Sequence, residues 1–435
     1  MASFSMPGLR FALRALRYRN YRLFFGGQSF SLIGTWMQQL ALGWLAYDLT
    51  NSAFLLGLIG FAGMIPTLAV SPIAGVFSDR WNRYHILLAT QSLAMLQAFL
   101  LAVLTLTGAI RYEYIVALAI FLGIVNAFDI PARQSFVVEI VERKEDLGNA
   151  IALNSLMFNG ARLIGPSIAG VLIGLAGEGT CFLLNALSYA GILAALAAIK
   201  VPPRENRPAT QVWQGLREGF AYAFGFAPIR YILLQLAVIS LMGMPYAVLM
   251  PIFARDILMG GPGTLGFLMA CSGTGALIGA IYLAARKSIL GLGKWIVYGS
   301  SLFGCAIIAF SFSRVVWLSA ALMVVSGFGM IIQMASSNTI LQTIVEEDKR
   351  GRVMSFFALA IMGTSPLGSL FAGYMGEKIG VVYTLMISGI ICIAGALLFA
   401  GRLPEIREKV RPIYRSMGIG RPTDRISSGS TGPDS

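Results

Sequence analysis

Charge is what this chain has least of. Only 12% of its 435 residues are Asp, Glu, Lys or Arg, against about 25% in soluble domains, so a soluble globule of this size is excluded. There is one histidine, His85, which rules out a histidine metal cluster. The four cysteines, Cys181, Cys271, Cys305 and Cys392, lie in apolar runs with neither CxxC nor metal-ligand spacing, and read as small buried hydrophobes. G-x-S-x-G, HExxH and the P-loop are all missing, so no enzymatic activity, ATP site or cofactor is expected. The first 20 residues carry Arg10, Arg14, Arg17 and Arg19 without a small-residue cleavage site, so they do not read as a signal peptide.

What is present is apolar: 57% of the residues are hydrophobic and the mean hydropathy is +0.74. The 49 glycines suit close helix packing in lipid. A hydrocarbon core takes about 20 apolar residues per helix. Candidate spans fall at 22–47, 54–77, 86–107, 113–128, 149–175, 180–199, 230–253, 264–285, 294–312, 315–338, 352–375 and 381–401. The expected fold is therefore an all-α membrane protein of twelve transmembrane helices.

Lys and Arg set the orientation. With the N-terminus in the cytoplasm, 28 of the 33 fall on the cytoplasmic side. Arg111, Arg255, Arg314 and Lys378 fall opposite, and Arg162 lies inside a span. This asymmetry is the positive-inside pattern. It absorbs the net charge of +13, so no nucleic-acid partner is called for. The chain divides into a cytoplasmic arm (1–20), a six-helix bundle (21–199), a cytoplasmic linker (200–229), a second six-helix bundle (230–401) and a disordered cytoplasmic tail (402–435). The halves echo each other. At an offset of 203, "LIGPSIAG" (163–170) lies over "PLGSLFAG" (366–373) and Gly148 over Gly351. Weak repeats of six helices are how many secondary transporters are built.

Between spans two and three, "GVFSDRWNRYH" (75–85) sets Asp79, Arg80 and Arg83 on a very short turn. Such a cluster can pair with charges or a helix terminus on a neighbour and latch one state of a moving bundle. This turn resembles the G-x-x-x-D-R-x-G-R-[RK] signature of the major facilitator superfamily, met here as Gly75, Asp79, Arg80 and Arg83. Asn82 stands for the usual glycine and Tyr84 for the usual basic residue. The resemblance covers about residues 18–402. It implies that the two six-helix bundles form the major facilitator fold, and that Asp79 and Arg83 belong to a cytoplasmic charge network that latches the outward-facing state. "YRNYRLFFGGQSFSLIGTWM", "YDLTNSAFLLGL", "DIPARQSFVVEIV" and "DKRGRVMSFFALAIMGTSPLGSLFAG" are similar to exporters related to enterobactin and macrolide efflux proteins. The run through "GPSIAG" resembles the fifth-helix motif of proton-driven antiporters. It is carried by Ala161, Gly165, Pro166, Ala169 and Gly170, with two alanines for glycines.

Arg162 stands alone in that run, with no acidic residue within a dozen positions. Ser155, Asn159, Arg162 and Pro166 share one stripe of the helix. Ala161, Gly165, Ala169 and Leu172 make a packing stripe beside it. An Arg at mid-span facing lipid costs at least ~2.5–3.5 kcal/mol, so this stripe is expected to face a central cavity. There Arg162 would bind an anionic substrate group or respond to a nearby proton-bearing acid; its alternative is a structural pair with a carboxylate on another helix, such as Asp129. Further candidate cavity residues are Gln28, Ser31, Thr35, Gln38 and Gln39 on the first helix, Gln235 and Tyr246 on the seventh, and Gln333 on the tenth. Each of these could instead bond helix to helix. Trp36 is a candidate apolar wall, with packing against lipid as its alternative. Asp129, four residues before Arg133, is the coupling candidate; the alternative is that the two only pair with each other, or with Asp79 and Arg83.

The expected function is a secondary exporter of the bacterial inner membrane, working by alternating access as a monomer. It is expected to be driven by the proton gradient and to carry an amphipathic organic molecule such as a siderophore or a drug. Uptake of another small molecule and lipid handling are the alternatives.

Overall fold

The computed structural model describes residues 14–199, 220–286 and 288–417, without the side chains at 72, 73, 76, 78–80, 144 and 348. The described part is helical almost throughout, because a backbone in lipid must satisfy its own hydrogen bonds. Twelve long helices follow one another among the described residues. In the first half they are α1 (Arg19–Thr50), α2 (Ala53–Arg80), α3 (Arg83–Leu106), α4 (Tyr112–Ile140), α5 (Leu147–Ala176) and α6 (Glu178–Ala198). In the second half they are α7 (Ala227–Ile257), α8 (Pro262–Ala284), α9 (Leu292–Phe312), α10 (Val316–Ile344), α11 (Lys349–Ile379) and α12 (Val381–Ser416). Eleven of them contain a run apolar enough to cross a bilayer. The remaining one, α1, has 32 residues and is about 48 Å long.

Three helices are interrupted or prolonged beyond the sequence expectation. In α7, π-helical turns at Ile239–Gly243 and Phe253–Ile257 flank the segment between Pro245 and Pro251, where missing amide donors loosen the ladder. In α11, helix stops at Met362 and restarts at Ser365 with Pro366 in its first turn. α12 does not end at 401. It continues to Ser416, with Leu403, Ile406 and Val410 buried on one face. That corrects the expected disordered tail over 402–416. The expected linker lies outside the described residues from 200 to 219, and 220–225 is helical. Cys305 is exposed, contrary to expectation, whereas Cys181 and Cys392 are buried.

The apolar cores show how the halves meet. Near the chain termini there are two separate clusters. One is built within the first half around Tyr21, Leu87, Phe136 and Ile192, the other within the second half around Ile232, Ile296, Leu341 and Val353. At the opposite end a single cluster joins both halves, with Tyr47, Leu56 and Ala169 beside Tyr246, Leu265 and Ala372. The two bundles are thus closed on each other at the end away from the termini.

Candidate functional site

α5 is held on two sides. Ala161 packs with Leu32 and Met157 beside Trp36, and a Cβ on Gly165 would come within 2.6 Å of the Trp36 Cβ. On the other side Leu163 lies against Gly273 of α8, and Gly170 against Gly266. The expected packing residues Ala161, Gly165, Pro166, Ala169 and Gly170 are all buried. Pro166 stays inside an unbroken helix. The two remaining sides of α5 differ chemically. One carries Leu156, Ile164, Val171 and Leu175, exposed and apolar, as a lipid face should be. The other carries Ser155, Asn159 and Arg162. At about 100° per residue this polar side points between α1 and α8, into the space between the bundles.

Arg162 sits mid-way along the 30 residues of α5 and is half-buried. Among the described residues no carboxylate is paired with it. Its guanidinium lies 5.9 Å from the centre of the Trp36 ring, and Trp36 meets Phe158 edge-on at 5.7 Å. Asp129 is not its partner, because that carboxylate is bonded to Thr90, Gln91 and Arg133. The structural pairing between Arg162 and Asp129 is thereby excluded.

Most of the other expected cavity residues lie inside a bundle. Gln28, Ser31 and Gln38 are buried. Gln38 donates to Gln97 at 2.9 Å and accepts from Asn185 at 2.8 Å, tying α1 to α3 and α6. Thr35 is 3.3 Å from the Tyr189 hydroxyl. In the second half Gln235 donates to Ser300, Tyr246 bonds Ser272, and Gln333 is 1% exposed within the bundle. These are corrections to the cavity assignment: Gln38, Gln235 and Tyr246 find partners between packed helices, where a lone amide in hydrocarbon would be costly, while the Gln333 Nε2 is buried there without one among the described residues. The face of α1 turned toward the other half is instead Trp36, Gly43 and Tyr47. Gly43 approaches Pro251 and Tyr47 bonds Asp256. Gln39 remains exposed beside this face.

The closed end is made by glycines and carboxylates. A Cβ on Gly57 of α2 would sit 2.5 Å from the Ser369 carbonyl of α11 and 2.8 Å from Gly373, so only glycine permits this crossing. Around it, Asp48 pairs with Arg255 at 3.2 Å. Tyr47 donates to Asp256, and Glu377 accepts from the Ser52 hydroxyl and the Phe54 amide at the start of α2. Every one of these contacts joins the two halves. At the end near the termini, the ion pairs among the described residues stay within one half.

Two six-helix halves, closed at one end around a polar seam, is a transporter geometry, and comparison with known proteins decides the family. Residues 11–417 match the model of the transmembrane secretion effector family. The chain belongs to that family. It is 27% identical to the staphyloferrin A transporter of Staphylococcus aureus, over 89% of this chain and 97% of that protein. It is 21% identical to macrolide efflux protein A of Streptococcus pyogenes, over 87% and 96%. Its fold matches a bacterial homologue of the human lysosomal transporter Spinster in an inward-facing, unoccupied conformation, with a TM-score of 0.68 at 15% identity, covering 92% of this chain and 98% of that one. The protein is therefore a secondary transporter with the major facilitator fold, related to siderophore and drug efflux pumps, and not an enzyme.

In this transporter the charged turn contains a pair the sequence did not suggest. Arg83 binds Glu139 of α4 at 2.5 Å. Gly75 is half-buried and stands at the end of α2; the side chains of Asp79 and Arg80 lie outside the described residues. The segment before α1 is fastened to the start of α5. Asp146 is buried and takes Arg14 at 2.8 Å, Arg17 at 2.6 Å and the Tyr18 hydroxyl at 2.5 Å. The Tyr18 hydrogen bond, with Arg17 and Arg14 beside it, holds the Asp146 carboxyl below its usual range. An acid three residues before Asn149, which itself accepts from the Ala15 amide, was the available sign of this clamp.

Proposed function

We propose that this transporter exports an amphipathic organic anion, of siderophore or drug-like class, across the inner membrane of a bacterium by alternating access and proton antiport. The carrying observation is Arg162, a permanent charge at mid-helix with two aromatic rings beside it and no paired carboxylate among the described residues. An anion bound there would supply the missing counter-charge, and Trp36 and Phe158 would meet its apolar part. The likeness to a staphyloferrin A transporter and a macrolide efflux protein supports that class. The 28 Lys and Arg of the terminal side support cytoplasmic termini. In that orientation the open end faces the cytoplasm, the state in which an exporter loads.

The test is transport into inverted membrane vesicles, with and without a pH gradient, using a panel of carboxylate siderophores and anionic and cationic dyes. Gradient-driven uptake of an anion is expected. Arg162→Ala should lower apparent affinity for it about 10- to 100-fold, the scale of a charge-assisted hydrogen bond, and leave thermal stability unchanged. Arg162→Lys should recover part of the loss, since an ammonium lacks the planar fork. Undiminished anion transport by the alanine variant would remove the site. Accumulation in the opposite direction would mark an uptake system, and movement of labelled lipid alone a lipid handler.

A further inference from the structure

Asp129 lies inside the first bundle, 5% exposed, eleven residues before the end of α4 at Ile140, or about 16 Å along the axis. An ionised carboxylate at such a depth is costly unless it is well partnered. Its Oδ1 accepts from the Thr90 hydroxyl at 3.0 Å and the Gln91 amide at 2.6 Å, both on α3. Its Oδ2 faces Arg133 Nε at 3.4 Å, one turn along α4, which is long for a charge-assisted bond. From α6, Tyr189 stands within electrostatic range of both Asp129 and Arg133.

Two features of this shell are superfluous around a carboxylate that never changes state. Thr90 has one hydroxyl hydrogen and two acceptors in reach, Asp129 Oδ1 and the Leu87 carbonyl oxygen at 3.2 Å. Gln91 Oε1 is buried and has no hydrogen-bond partner. A proton gives both a use. When it binds, an O–H bond forms at Asp129 Oδ1. Thr90 turns its hydrogen to Leu87, and the freed hydroxyl oxygen accepts from the new O–H. A half-turn of the Gln91 amide offers Oε1 as the alternative acceptor of that one hydrogen. Arg133 loses its anion, and the cluster gains one positive charge.

We propose that Asp129 is a proton-binding site of this transporter, with Thr90 and Gln91 as positioning residues that serve both protonation states. The proton comes from bulk water and is returned to it. The inference deepens the antiport reading and rests on it for its purpose, but its chemistry is testable without a cargo. Infrared difference spectra of the purified full-length protein, titrated with acid alone, should contain a protonated-carboxyl band that is missing in Asp129→Asn. Thr90→Val removes both the donor to the ionised form and the acceptor of the protonated one, so the band should shift in frequency as the carboxyl loses that hydrogen bond. Thr90→Ser should restore the original frequency. A titration unchanged in Asp129→Asn overturns the site, and a band unmoved in Thr90→Val overturns the hydroxyl switch. A chain that exports nothing would still show the band. An exporter with its proton site elsewhere would keep gradient-driven export in the Asp129→Asn vesicles.

Discussion

Gln38 and Arg162 show the two uses a polar side chain has in a membrane bundle. Gln38 spends its amide between Gln97 and Asn185, and its loss is a matter of stability. Gln38→Met is expected to strand the Gln97 carbonyl and the Asn185 amide, at a cost of about 1–2 kcal/mol. The melting temperature in detergent should fall while cargo affinity stays within twofold. Arg162 has the converse signature, and a lowered melting temperature in Arg162→Ala would argue against it. The sequence put both residues in one list because helical spacing finds a polar stripe without saying what it faces. On α1 the stripe Gln28, Ser31 and Gln38 turned out to be interior. The cross-bundle face, Trp36, Gly43 and Tyr47, has only the tyrosine hydroxyl and the indole N–H to mark it. Lipid and bundle interior are both apolar, so periodicity has little contrast between them.

At the scale of elements, twelve apolar runs were enough to place the helices, and α5 could be oriented because its two open sides differ in polarity. The breaks in α7 and α11 follow Pro245, Pro251 and Pro366. The Arg, Glu and Lys of 402–416 mask the prolongation of α12 in the sequence; its signal is the apolar spacing at Leu403, Ile406 and Val410. The clamp between the Arg14–Arg17 turn and Asp146 gives this scale its prediction. Its carboxyl is depressed in the folded state. The clamp therefore holds in full above the ordinary Asp value of about 3.9, and is released only as pH falls through the lower folded value. Amide exchange at residues 14–18 should stay slow from neutral pH into the carboxylate range and quicken below it. Asp146→Asn should exchange quickly at every pH. Protection in that variant equal to wild type would show that the carboxylate does not hold the turn.

At the scale of the whole molecule, the halves close on one side by Gly57 against Gly373, backed by Asp48–Arg255, Tyr47–Asp256 and Glu377 at the head of α2. None of these pairings follows from the sequence, because each joins residues about 200 to 325 positions apart and needs the folded repeat to bring them together. The charged turn at 75–83, by contrast, is legible from its local spacing, and its resemblance makes it the expected latch of the other side. A closure made of individually modest contacts fits a transporter that must exchange its states. A carboxylate at a helix start contributes about 0.3–1 kcal/mol, and an exposed ion pair about 0–1 kcal/mol. Glu377→Gln and Arg255→Gln are therefore each expected to shift the balance toward opening at this end by up to roughly fivefold, and together by up to about 25-fold if they act independently. Spin labels at Ala109→Cys and Val315→Cys, in a cysteine-free background, would report the distance between the halves at that end. The double variant should lengthen it, and, if Asp79 latches the opposite side as its resemblance implies, Asp79→Asn should shorten it again. A distance distribution that ignores the double change would mean that the glycine seam alone keeps this side shut.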